Sequence, residues 1–258
     1  FFPSFCKMEM EEKEVVTELP HFQQKYVWDC GIACCLMICA HFNLDLDYHA
    51  LLKMLGTKSI WTIDLAYLFA TQLKIPVKLF TITVGVDPSY ETDSFYKKDI
   101  TQDERRVNAL FAGVKQNNVD LQHKAVSDQE LEELVRLGHL LIVLVDSRHT
   151  KASNSVQLVE RYQKNRKAAI LKEELNFTCA NCERECHWAH ASLRKDFIGH
   201  FIVVKGITEQ GMYLYSDPSV DHGTCVMSKE MLSSARRSHG TDEDLLVLGK
   251  NSSAATSS

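Results

Sequence analysis

The sequence predicts an α+β fold, with helices in the first third of the chain and an antiparallel sheet later. Three observations carry this. Apolar residues recur at helical spacing from Asp29 to Leu73, and LLIVLVD (140–146) and HFIVVKGI (200–207) are branched-aliphatic runs of strand length. MYLYSDP (212–218) follows the second run after the short turn TEQG, as expected of an antiparallel pair.

The elements follow in order. Residues 1–19, with the charged run MEMEEKEVV, read as a flexible lead-in. The chain starts at Phe1 without Met, and Met8 and Met10 are candidate starts. In QQKYVWDCGIACCLMICAHF (23–42), Asp29 is placed to cap a helix whose body is Ile32, Ala33, Leu36, Met37 and Ala40. Gly31 would let the backbone approach a substrate closely. Tyr48, Leu51, Leu52 and Leu55 mark a second helix closed by Gly56, and Thr62 is placed to cap a third, IDLAYLFATQL.

Ile75 to Thr83 reads as a strand, Gly85 to Thr101 as a surface loop or lid, and Arg105 to Gln116 as a helix. Leu121 to Val126 is a short strand, and Ser127-Asp128-Gln129-Glu130 is a capping box that opens a helix stopped by Gly138. Residues 147–196 form an insertion between two strands. A helix from Ser228 to Arg237, the strand LLVLG and a disordered tail (249–258) end the chain, so one domain is expected over 20–248.

Composition narrows the function classes. Of 258 residues, 45% are hydrophobic and 24% charged, ordinary for a globular domain. The net charge of -5 argues against a nucleic-acid binder, and no apolar run is long enough to span a bilayer. Four of nine cysteines (Cys30, Cys34, Cys35, Cys39) crowd into one helix, which does not fit a secreted disulfide framework. A reducing cytoplasm or nucleus is the expected compartment, while oligomeric state is not readable.

Cys30 opens the first helix, where the dipole favours a thiolate. A thiol nucleophile needs a base, a group to orient that base and donors for an oxyanion. His200 at a strand start is the candidate base and Asp217 after the next strand the orienting carboxylate. Gln24, six residues before Cys30, and the Cys30 N–H are the candidate oxyanion donors.

Gln24, Asp29-Cys30-Gly31, His200-Phe201 and Asp217-Pro218, in that order, resemble the papain-like cysteine peptidase fold, in particular the bacteriocin-processing domains of peptide exporters. The resemblance implies a helical lobe carrying Cys30 and an antiparallel sheet lobe carrying His200 and Asp217. It also implies thiol-dependent hydrolysis of a peptide or isopeptide bond, without a cofactor, on a peptide or protein substrate. Over nearly the whole chain, QQKYVWDCG, SIWTIDLAYL, GVDPSYETDSFY, ERRVNALF, GHFIVVKG and SHGTDEDLL are similar to the guanylyl cyclase domain-containing family. That name implies GTP as substrate, cyclic GMP as product and Mg²⁺ as cofactor.

The residues themselves contain no GxxxxGK[ST] phosphate loop, and the run Asp242-Glu243-Asp244 reads as a solvated turn in preference to a Mg²⁺ site. A catalytically silent interaction scaffold, with Trp28 filling the cleft, is a third alternative. Cys179, Cys182, Cys186, His187 and His190 have zinc-type ligand chemistry and would staple the insertion, the alternative being a reduced loop. RYQKNRK (161–167) reads as a solvated helix face, and Trp61 and Tyr67 as core or groove wall.

Overall fold

The computed structural model describes residues 13–87, 100–150, 197–221 and 223–249. Among them six α-helices and eight strands build a mixed α+β structure around one open sheet. The elements are β1 (Val15–Val16), α1 (Cys30–His41), α2 (Tyr48–Leu55), α3 (Thr62–Tyr67) with a π-helical continuation Leu68–Leu73, β2 (Val77–Thr81), α4 (Ile100–Ala112) and β3 (Asp120–His123). They continue as α5 (Asp128–Arg136), β4 (Leu140–Asp146), β5 (Gly199–Ile207), β6 (Tyr213–Ser216), β7 (Cys225–Met227), α6 (Lys229–Arg236) and β8 (Leu245–Leu248).

The strand order is β3-β2-β8-β4-β5-β6-β7, with β1 paired to β5, and every pairing is antiparallel except β2 with β3. Side chains alternate between the two faces. Leu79, Ile142, Leu144, Phe201, Val203 and Leu246 pack with α1 to α4, whereas Phe80, Leu141, Val143, Val145, Ile202 and Val204 pack with α5 and α6. Both faces are covered, which explains why β4 reads as an unbroken aliphatic run.

Helix α1 is buried from Cys30 to Cys39, and an apolar helix of this kind belongs inside. Gly56 ends α2 in the left-handed region at φ 68°, its N–H bonded to the Leu52 carbonyl. The Ser127–Glu130 capping box is formed in both directions.

Several local expectations are corrected. Asp29 does not cap α1; its carboxylate accepts the Tyr26 N–H at 3.0 Å and the Lys25 N–H at 3.3 Å, folding the preceding loop instead. Thr62 is the first helical residue of α3, and Asp64 accepts the Trp61 N–H at 2.8 Å. A Cβ on Gly31 would lie 3.3 Å from Ile60 and from Phe201, so packing against the sheet, not substrate approach, accounts for this glycine.

The lead-in is fixed at its end, where Val15 pairs with Ile207 and Val16 with Gly206. Strand β7 has no counterpart in the sequence reading, because three residues carry too little pattern. The loop reading from Gly85 falls largely on 88–99, the insertion on 151–196 and the tail on 250–258, all outside the described residues.

Candidate active site

Three elements converge at one end of the sheet. Cys30 begins α1, His200 is the second residue of β5, and Asp217 follows β6. Helix α1 lies on β5, and the Cys34 thiol meets the Phe201 carbonyl at 3.4 Å. Hairpin pairing of β5 with β6 joins Val203 to Ser216, which carries Asp217 toward His200.

His200 Nε2 and Asp217 Oδ1 lie 2.7 Å apart, both residues buried. The Cys30 side chain is hydrogen-bonded to the same imidazole. Asp217 Oδ1 also accepts the Ser219 N–H at 2.8 Å and the Ser219 hydroxyl at 2.6 Å. Ser219 escaped the sequence reading. A serine two residues after an aspartate in a turn is a local signal for such a bond.

Electrostatics follow from this geometry. Burial by itself would depress His200, yet the Asp217 charge, its hydrogen bond and the Cys30 contact raise it to about 10. Burial likewise favours a protonated Asp217, but His200 and Ser219 outweigh it and bring that carboxyl down to about 2. The buried pair is therefore an imidazolium beside a carboxylate at neutral pH. Such an arrangement can share a proton with a thiol, orient the ring and hold the cation formed by proton transfer.

The neighbouring thiols differ. Burial pushes Cys34 well above an ordinary thiol, reinforced by Cys30, and pushes Cys35 up in the same way. Cys39 is raised by burial to about 11. These three are core side chains.

Gln24 is joined to the same corner through its backbone, whose N–H donates to the Pro218 carbonyl at 2.9 Å. Its amide nitrogen donates to the Tyr26 carbonyl at 2.8 Å, and a primary amide carries a second hydrogen besides. Trp28 is half-buried and stacked on Tyr26, with ring centroids 5.7 Å apart. Trp61 and Tyr67 are tied to α4, Trp61 Nε1 donating to Asp103 at 3.1 Å and the Tyr67 hydroxyl to the Leu110 carbonyl at 2.6 Å.

The acidic run departs from the expected solvated turn. Asp244 is buried, and burial together with Asp242 raises its carboxyl to about 7 against the opposing hydroxyls of Thr62 and Thr81. Among the described residues, no three His, Cys, Asp or Glu side chains converge as a metal-binding group. The zinc-type ligands Cys179, Cys182, Cys186, His187 and His190 lie outside the described residues, as does RYQKNRK. No helix of the described residues is long and apolar enough to cross a membrane.

Comparison with known proteins identifies the family. The model of the guanylylate cyclase family matches residues 19–248, and the chain belongs to that family. It is similar to a protein of Arabidopsis thaliana called Guanylyl cyclase 1, with 30% identity over 234 residues, 90% of this chain and 75% of the plant protein. No solved structure matches.

Proposed function

We propose that this member of the guanylylate cyclase family is a thiol-dependent hydrolase of peptide or isopeptide bonds, built on a papain-like arrangement of α1 against the sheet. The observation that carries this reading is His200, which meets the Cys30 thiol on one side and Asp217 on the other. In the proposed reaction His200 already holds the proton of the Cys30 thiol, and the sulfur attacks the carbonyl carbon as the thiolate of that pair. The C–N bond then breaks, with His200 giving its proton to the leaving amine. Water, deprotonated by the neutral His200, releases the acyl group and restores the thiolate–imidazolium pair. Asp217 holds the ring, and Gln24 with the Cys30 N–H are the proposed oxyanion donors.

The names of the family and of the plant relative favour a second reading, formation of cyclic GMP from GTP with Mg²⁺, and neither name speaks for hydrolysis. Asp242, Glu243 and Asp244 form the acidic run that this reading has to offer, with Asp244 buried and raised further by the charge of Asp242.

Labelling with iodoacetamide at neutral pH, read by peptide mass spectrometry, tests the first reading. Cys30 is expected to react faster than every other cysteine, and His200→Ala to remove that advantage. Equal labelling in both proteins overturns the reading. Mg²⁺-dependent cyclic GMP formation that survives Cys30→Ala and fails in Asp244→Ala establishes the second.

A further inference from the structure

The segment from Phe22 to Trp28 runs from the Pro218 turn to the start of α1. Its first anchor is the Gln24 N–H bond to Pro218, and its last is the Asp29 carboxylate, which holds the Lys25 and Tyr26 amides. Between these anchors the chain turns apolar side chains outward: Phe22 is 37%, Tyr26 57% and Val27 70% exposed. Three large apolar side chains exposed within six positions favour an interaction surface over scattered surface apolarity.

The rim is cationic as well. Lys58 places its ammonium 5.6 Å from the centre of the Trp28 ring, and Lys25 lies 4.4 Å from that of Tyr48. Lys58 belongs to the loop that also supplies Ile60 beside Gly31, and Lys25 lies five residues before Cys30. Residues 20–28 and 56–62 contain these two lysines and no Asp or Glu, in a chain whose net charge is -5. Asp29, next in sequence, is buried and occupied by backbone amides.

We infer that this rim docks an extended peptide of alternating acidic and apolar residues, the apolar ones against Tyr26 and Val27 and the acidic ones against Lys25 and Lys58, and leads it to Cys30. A guanine nucleotide fits less well. The guanine edge presents N–H donors that call for an acceptor carboxylate, and those bordering the rim, Asp29, Asp64 and Asp103, are buried and already accept from Lys25, Tyr26, Ser59, Trp61 and Arg106. The Tyr26 and Trp28 rings are also closed against each other, with an interplanar angle of 6°. Docking by itself does not need the hydrolase reading; the delivery of a bond to Cys30 rests on it.

The test uses the full chain with Cys30→Ala, so that a bound peptide is not consumed. The probes are a fluorescein-labelled Glu–Leu alternating octapeptide, its Lys–Leu counterpart, GTP, and phosphatidylserine vesicles. At low salt the Glu–Leu peptide is expected to bind about tenfold more tightly than the Lys–Leu peptide. Lys25→Glu with Lys58→Glu reverses that order, and Val27→Ser weakens both peptides; all three sites are exposed, and an unchanged Tm shows that the variants fold. Equal binding of the two peptides, or indifference to charge reversal, overturns the proposal. Displacement by GTP, or vesicle binding in place of peptide binding, also overturns it. Selective binding without cleavage by the unmutated protein would leave docking in place and remove the hydrolase reading alone.

Discussion

At the scale of single residues the site is governed by one hydrogen-bonded carboxylate. Asp217 keeps His200 charged against burial, so Asp217→Asn is expected to bring His200 down from about 10, as an NMR titration of the imidazole would show. On the hydrolase reading the same variant lowers the rate by roughly 10²–10⁴. The stability of the pair has a definite pH window. His200 is raised, so its contribution is complete below 6.5 and lost as pH climbs through about 10. Asp217 is lowered, so its contribution is present above 3.8 and lost as pH falls through about 2. Asp244 has the opposite sign to Asp217. Its folded value of about 7 exceeds 3.8, so the native state keeps a proton that the unfolded chain has released, and stability declines as pH rises between those values. Asp244→Asn should flatten that decline in a series of thermal melts from pH 4 to pH 8; an unchanged slope would place the titration elsewhere. The places of Cys30, His200 and Asp217 were legible in the sequence because each sits at an element boundary that pattern alone can locate, while their catalytic roles belong to the proposal. Ser219 carried only the local signal of a serine two residues after an aspartate, and the true partners of Asp29 carried none, because short polar side chains choose among nearby amides by geometry that spacing does not encode.

At the scale of elements, α3 and α4 are fastened by ions. Arg106 pairs with Asp64 on α3 and with Asp103 on its own helix at 2.9 Å, and it donates to the Ser59 carbonyl at 3.0 Å. Asp103 also accepts from Ser59 and Trp61, so the loop beside Cys30 hangs on this one cluster. Both carboxylates are buried, and removing their cation leaves them without it. Arg106→Ala is expected to lower stability by about 1–3 kcal/mol in urea unfolding, with Arg106→Lys restoring only part because it cannot bridge two carboxylates with a planar fork. Loss of the same size in both variants would reduce the cluster to charge alone. The helices were readable from apolar spacing and caps, with α4 starting at Ile100 where Arg105 was expected, and so were β2, β4, β5, β6 and β8. The clasp was not, since Asp64 and Arg106 are 42 positions apart and each looks like a surface charge when read in its own helix.

At the scale of the whole molecule, the site exists only where α1 meets β5. Nothing local unites Cys30 with His200, 170 positions later; what joins them is the packing of Gly31 against Phe201 and of Cys34 against the Phe201 carbonyl. A Cβ at Gly31 would already be tight at 3.3 Å, so helix and strand approach as closely as side-chain size permits. Phe201 therefore lies between α1 and β5 where it would space the Cys30 thiol from the His200 ring. Phe201→Ala leaves a buried void, and a stability loss of about 3–5 kcal/mol is expected. Its more telling effect should be on chemistry: as α1 settles into the void, the pH dependence of Cys30 alkylation should drift toward that of an unassisted thiol. Phe201→Leu, which fills most of the space, should keep the unmutated pH profile at a smaller loss of stability. If Phe201→Ala melts earlier but retains the original profile, the Cys30–His200 contact is fixed by the Asp217 hairpin and not by helix docking. The two outcomes separate a site made by tertiary packing from one made by a single pair of strands.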